Sequence, residues 1–365
     1  MKVQDLISYL QEVAPAALKE DYDNVGLLIG EEQTEIKGIL TALELNHEVI
    51  NEAKKLNCNV IITHHPIIFR PLKKITLQNY NEQMVYRCIQ EGIAVYAMHT
   101  NFDHVFKGTN YWLAKSFALS NLKPLRKLQN YYKVIVTFVP TQYVSQVRSA
   151  LAQSGAGVIG NYTECSYNVQ GYGTFRPNQE AQPFSGVKNQ LSQEVEVRLE
   201  MRFPAYLERQ IIKALHQSHP YETPAYHIFA DHSTQELYDG AGIIGELPTS
   251  YTPQEFLKVA KQVLKIPFLR YTYTHKKKIQ RVALCGGAGS FLISDAVQQN
   301  ADAFITADIT YHTFFDVPAS LMLIDGGHYE TEQYVAQAIA HIISQKFESI
   351  PVYSTQVNTN PVLYF

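Results

Sequence analysis

The chain has 365 residues, 46% of them hydrophobic, which is enough for a large core and for more than one domain. Its charged fraction is 18% and its formal net charge −3, so no basic excess points to nucleic acid or to an anionic membrane. Four scattered cysteines without a C-x-x-C pair argue against a disulfide framework or a zinc ribbon. With no export-type leader and no run approaching the ~20 apolar residues of a membrane span, the expected address is the cytoplasm.

In chain order, Val3 to Leu10 has apolar residues at helical spacing. Ile36 to Leu43 reads as a strand, Asn46 to Lys55 as a helix and Val60 to Ile62 as a short apolar strand. Met84 to Glu91 reads as a helix stopped by Gly92, and Ile93 to Met98 as a further strand. Strands without polar alternation, separated by helices, predict a mainly parallel sheet covered on both faces.

From about Lys127 the texture changes. Lys133 to Val139 and Glu194 to Phe203 alternate, as strands with one solvated face do. Pro140 and Pro204 lie 64 residues apart, and each closes a strand and opens a helix. Asn178 to Asn189 reads as a loop between two strand–helix–strand units, the pattern of a ferredoxin-like domain. His219-Pro220-Tyr221-Glu222-Thr223-Pro224 reads as a rigid turn or an assembly contact. The α/β grammar then returns. Arg281 to Cys285, Ala303 to Thr306 and Leu321 to Ile324 read as strands, and Phe291 to Gln298 and Thr331 to Ser344 as helices. The predicted fold is a discontinuous outer α/β domain, residues 1–126 and 247–365, with an inserted ferredoxin-like α+β domain at 127–246.

Four apolar strands are each followed by side chains that bind metals: His64-His65, His99 with Asp103 and His104, Asp308 with His312, and His328. Strand ends of a parallel sheet gather at one edge, where ligands bind. His328 and Glu332 are four apart and share a helix face. Adjacent His64 and His65 point apart and can reach two different ions, which a carboxylate such as Glu332 can bridge. Imidazole with carboxylate suits zinc, manganese or iron. The bland alternative is that each histidine is an ordinary core or surface residue. His99 and His312 are candidate proton shuttles, or else braces for the ligands. Gly286, Gly287 and Gly289 follow a strand and precede a helix, so their N–H groups could cradle a phosphate. The turn lacks a P-loop lysine, and tight packing explains it equally well.

At these residues the chain resembles the NIF-three-like proteins, labelled GTP cyclohydrolase 1 type 2 homologues. The resemblance rests on Asp23-Asn24-Val25-Gly26-Leu27, Thr63-His64-His65-Pro66, His99-Thr100-Asn101-Phe102-Asp103, Gly286-Gly287-Ala288-Gly289 and Gly327-His328-Tyr329-Glu330-Thr331-Glu332. The middle segment resembles the CutA/PII-like module of longer bacterial members. The resemblance implies a dinuclear divalent-metal site on His64, His65, Asp103, His328 and Glu332, and a toroidal homohexamer. Relatives often carry Asp where this chain has Glu44, which puts any role of Glu44 near the metals in question. The implied activity is metal-dependent hydrolysis of a nucleotide or other small phosphorylated ligand, in the extreme the opening of the GTP imidazole ring. The alternative is a non-catalytic metal-binding, regulatory or metallochaperone protein with a sensing insert.

Overall fold

The computed structural model describes residues 1–128, 132–231 and 239–364. The chain forms two compact units, one from Met1–Lys127 with Tyr238–Phe365 and one from Leu128–Leu237. Among the described residues no helix is long and apolar enough to cross a membrane.

The first unit is a mixed α/β structure with two sheets. In the five-stranded sheet the order is Gly26–Ile29, Ala94–Ala97, Val60–Thr63, Ile39–Ala42, Val352–Ser354. All its pairings are parallel except that of Gly26–Ile29 with Ala94–Ala97. The three central strands are buried at every position, which is why their sequences show no alternation. Their ends are level: Ala42 and Ala97 both pair with Thr63. The chain therefore delivers Glu44, His64-His65 and His99 at one edge, each one or two residues beyond its strand.

The six-stranded sheet runs Arg270–Tyr271, Met322–Asp325, Ala303–Thr306, Ile279–Leu284, Gly240–Tyr251, Ser120–Lys127. Its three strands from Ile279 to Asp325 are parallel and again level, with Leu284 opposite Ile305 and Thr306 opposite Asp325. The other pairings are antiparallel, so this sheet is not mainly parallel as expected. The difference comes from Gly240–Tyr251, which bonds to both Ile279–Leu284 and Ser120–Lys127. The predicted return to the outer domain at 247 would cut this strand in half. The whole strand belongs to the first unit instead, where it pairs with Ile279–Leu284 and Ser120–Lys127. The predicted helix Thr331 to Ser344 is also two helices, His328–Glu332 and Val335–Lys346.

The second unit has one antiparallel sheet in the order Tyr167–Phe175, Ser192–Pro204, Tyr132–Pro140, Tyr226–Asp231. Helices Val144–Gln153 and Glu208–Ser218 cover one face, and Ile135, Val139, Val147, Leu151, Leu199 and Phe203 are among the side chains buried between. Pro140 and Pro204 each lead into a single 3-10 turn before the helix, the structural form of the 64-residue echo.

Candidate metal centre

Helix Thr100–His104 opens directly after the strand Ala94–Ala97 and carries Asp103. Gly327, at φ +79°, turns the chain from its strand into helix His328–Glu332. A side chain there would meet the Glu330 carboxylate at 2.1 Å, so the turn is open only to glycine.

Glu332 lies at the centre. It is 3% exposed, and its two oxygens face three imidazoles. Oε2 is 3.1 Å from His65 Nε2 and 3.2 Å from His328 Nε2, and Oε1 is 3.8 Å from His64 Nε2. His64 Nε2 also lies 3.5 Å from Asp103 Oδ1. His65, His328 and Glu332 form one cluster within metal-binding reach, and His64, His65 and His99 form another.

The opposite ring nitrogens are each tied down. His64 Nδ1 donates to the Met98 carbonyl at 2.7 Å. A carbonyl only accepts, so Nδ1 carries the proton and Nε2 offers its lone pair. His65 Nδ1 pairs with Glu44 Oε1 at 3.1 Å, and His328 Nδ1 with Asp308 Oδ2 at 2.7 Å. Such outer partners fix the ring orientation of metal-binding histidines. Asp308 reaches its position from a left-handed backbone conformation, φ +55°, which a non-glycine residue adopts at some cost.

The result is an inward-facing set of acceptors. His64 Nε2, Asp103 Oδ1 and Glu332 Oε2 are buried, and none has a hydrogen-bond partner. Buried polar atoms are rarely left so, because each costs about 1–3 kcal/mol in lost hydration. His64 Nε2 and Asp103 Oδ1, 3.5 Å apart with no proton between them, are two acceptors that a cation would satisfy. Burial resists charging His65, but Glu332 and Glu44 raise its pKa to about 10. Burial likewise opposes charge on His328, yet Glu332 and Asp308 lift its pKa to about 9. Burial pushes Glu332 upward, and His328, His64 and His65 together pull it well below the usual carboxylate range. This field collects protons when nothing else balances it, and a divalent cation satisfies the same demand.

The sequence candidates separate clearly. His64, His65, Asp103, His328 and Glu332 come together. His99 joins them, with its ring centre 5.3 Å from those of His64 and His65. Its Nδ1 is held at 2.8 Å by Asp23, whose other oxygen accepts from the Thr100 amide and hydroxyl. Burial raises the Asp23 pKa, but the His99 and Thr100 hydrogen bonds outweigh it and hold the carboxyl far below its usual range. His312 does not join: it is exposed, packs against the Tyr311 ring and lies outside both clusters.

The glycine turn is not the expected phosphate cradle. Gly286 N donates to Asn110 Oδ1, Gly287 N to Thr331 Oγ1 and Gly289 N to Thr306 Oγ1, at 2.9, 3.0 and 2.8 Å. With these N–H groups committed, the turn serves packing: a side chain at Gly287 would sit 2.4 Å from Glu332 Oε1. Glu44, whose role near the metals the sequence put in question, pairs with His65, whereas reading the sequence alone missed Asp23 as a partner of His99 and the C-terminal segment. Thr359 bonds to Glu44, and Asn360 and Tyr364 bond to Glu330. Beside the centre lies a cavity of about 530 Å³, lined by Glu44, Phe268, Arg270, His328 and Tyr364 among others.

Residues 1–361 match the family model described as Duf34/NIF3 (NGG1p interacting factor 3). The chain belongs to the Duf34/NIF3 family. Full-length relatives include the "GTP cyclohydrolase 1 type 2 homolog" of Staphylococcus epidermidis, 35% identical over 370 residues and covering all of both chains. One from Staphylococcus aureus is 35% identical over 369 residues, again covering all of both. A solved Bacillus cereus protein related to NIF3 is 34% identical, with a TM-score of 0.82 over 100% of this chain and 99% of that one. A solved Staphylococcus aureus protein is 32% identical, with a TM-score of 0.78 and the same coverage.

Within this Duf34/NIF3 chain, Asp308→Ala should weaken metal binding about 10–100-fold while leaving every direct donor in place. Competition with a calibrated chelator measures the shift. Unchanged affinity would mean that Asp308 does not orient His328.

Proposed function

We propose that the chain is a dinuclear metal-dependent hydrolase acting on a nucleotide-like substrate. The carrying observation is the set of buried, unpartnered atoms on His64, Asp103 and Glu332. In this reading His64, His65, Asp103, His328 and Glu332 would together hold two divalent ions, with Oε1 of Glu332 toward His64 and Oε2 toward His65 and His328. The donors fit: they are imidazole and carboxylate, borderline to hard, and suited to zinc, manganese or iron.

Bound there, two divalent cations would supply Lewis acidity and make water acidic enough to ionise near neutral pH. The protein's own residues do the rest. Asp23 holds His99 by Nδ1, which leaves Nε2 at the cluster to take or give a proton. Glu44 and Asp308 keep His65 and His328 facing inward. The adjoining cavity is the place for substrate. The finer activity, GTP ring opening with loss of formate, rests on the names of the relatives. Within the same reading the protein is cytoplasmic, in keeping with its four free cysteines. The second unit is the CutA/PII-like sensing insert, on the strength of its two strand–helix–strand runs. The assembly is a toroidal homohexamer, on family membership alone.

One observation favours a second reading, a metal-binding protein without turnover. Glu44, Asp308, Asp325 and Glu330 all line the cavity, and Arg270 is already bonded to Asp325. That rim repels a free triphosphate unless the metals offset it.

The test has two stages. Purified protein analysed by inductively coupled plasma mass spectrometry should carry close to two divalent ions per chain. Metal-loaded protein is then incubated with GTP and with a panel of phosphoesters. Appearance of a ring-opened or dephosphorylated product supports the hydrolase. No product from any of them, at full metal content, would hand the case to the second reading.

A further inference from the structure

The end of the chain lies against the metal centre. Strand Val352–Ser354 pairs in parallel with Ile39–Ala42, which pairs in parallel with Val60–Thr63. The chain therefore leaves its last strand at the edge where Glu44 and His65 also emerge. Thr355 continues the register, its amide donating to the Thr41 carbonyl at 2.9 Å. Glu52 accepts from the Thr355 hydroxyl and from the Gln356 amide, and Val357 packs on the core beneath. From Asn358 to Tyr364 no residue is buried, so apolar burial does not hold this stretch in place.

Two carboxylates hold it instead. Asn360 Nδ2 donates to Glu330 Oε1 at 3.0 Å, and the Tyr364 hydroxyl donates to the same oxygen at 3.3 Å. Glu330 is 6% exposed and lies on helix His328–Glu332, between two of the metal donors. Thr359 donates its hydroxyl to Glu44 Oε2, while Glu44 Oε1 faces His65 Nδ1. One short stretch thus touches both flanks of the centre. Asn360, Pro361, Val362 and Tyr364 form one wall of the adjoining cavity.

The Glu44 contact bears on the metals. The Glu44 side chain is 30% exposed, so water competes for its carboxylate. Glutamate has several staggered rotamers, and His65 needs the one that brings Oε1 to its Nδ1. A hydroxyl donating to the other oxygen is a charge-assisted bond, strong enough to select that rotamer. With Nδ1 held, His65 turns Nε2 toward Glu332, 3.1 Å away.

We propose that Thr359 is a positioning residue for the metal centre, fixing Glu44 so that His65 presents Nε2 inward. This rests on the metal-binding part of the reading above and not on hydrolysis. The end of the chain sets how tightly ions are held without donating to them.

The test is zinc affinity of the full-length protein, measured by competition with a calibrated chelator. Glu44→Ala should weaken binding about 10–100-fold, the usual cost of losing an outer partner. Thr359→Val keeps the shape of the side chain but removes the hydroxyl, and it should weaken binding roughly tenfold, at the low end of that range. Thr359→Ser keeps the hydroxyl and should bind zinc as the parent does. In the Glu44→Ala background Thr359→Val should cost nothing further, because residues acting through one contact are not additive. A merely structural threonine would cost the same in both backgrounds, so this comparison decides even if Thr359→Val melts early. A crystal structure of Thr359→Val, which needs no metal, should show the Glu44 carboxylate turned away from His65. The proposal is overturned if Thr359→Val binds zinc normally, if its loss persists without Glu44, or if Glu44 keeps its contact with His65 in that crystal. A parent protein that binds no zinc would overturn the metal reading itself, and this proposal with it.

Discussion

Glu332→Ala should leave the protein nearly metal-free, with affinity reduced at least about a hundredfold, beyond the usual cost of losing an outer partner. The reason is its position. One carboxylate reaches His64, His65 and His328, so both proposed ion positions lose a donor together. Glu332→Gln serves as the control for folding, because it keeps the side chain's volume. Its metal content should fall nearly as far, since the lost charge is what attracts the cation. Normal metal in the glutamine variant would remove Glu332 from the centre and with it the dinuclear reading.

The metal-free protein should lose thermal stability as pH rises from about 7 to 10. The pKa of His65 is about 10 and that of His328 about 9, both above the unfolded imidazole value of about 6.5. A raised histidine stabilises the fold fully below about pH 6.5, and that contribution is lost as pH climbs through the folded value. Glu332 acts in the other sense: its depressed pKa stabilises above about pH 4.5 and is lost as pH falls through the folded value. Stability without metal therefore peaks between about pH 4.5 and 6.5. The His328 side chain is 39% exposed, so solvent screening trims its share and His65 dominates. Metals compete with those protons, so the melting-temperature gap between zinc-saturated and chelator-treated protein should widen with pH. About 1 kcal/mol moves the midpoint by only about 2–4 °C for 150–250 residues, so closely spaced pH points are needed. A gap that narrows toward pH 9 would contradict the assignment of these rings as donors.

That His64, His65, Asp103, His328 and Glu332 gather in one place was readable in the sequence, because their positions follow directly from local order. Val60–Thr63 is buried throughout, so the residues after it must emerge at the sheet edge. His328 and Glu332 need only one helical turn to meet. What escaped was non-local. Glu44 precedes His65 by 21 positions and contacts it because two parallel strands end level. Asp23 reaches His99 from 76 residues away. The glycine turn resembled an anion site locally, but Asn110, Thr306 and Thr331 had already claimed its amides. Ser120–Lys127 hid for a different reason. Lys123, Pro124, Arg126 and Lys127 make it look like a loop, and they suit an edge strand, where proline and exposed charge are tolerated.

The centre draws its donors from both ends of the chain, and this has a consequence for synthesis. Asp103 emerges from the ribosome 225 residues before His328. At ~5–20 residues per second, translation leaves roughly 10–45 seconds between them. During that interval the nascent chain displays His64, His65 and Asp103 without Glu332. It is an incomplete chelator, able to hold an ion only loosely. In the proposed dinuclear reading the full donor set therefore exists only after translation, and the completed chain is what captures the ions.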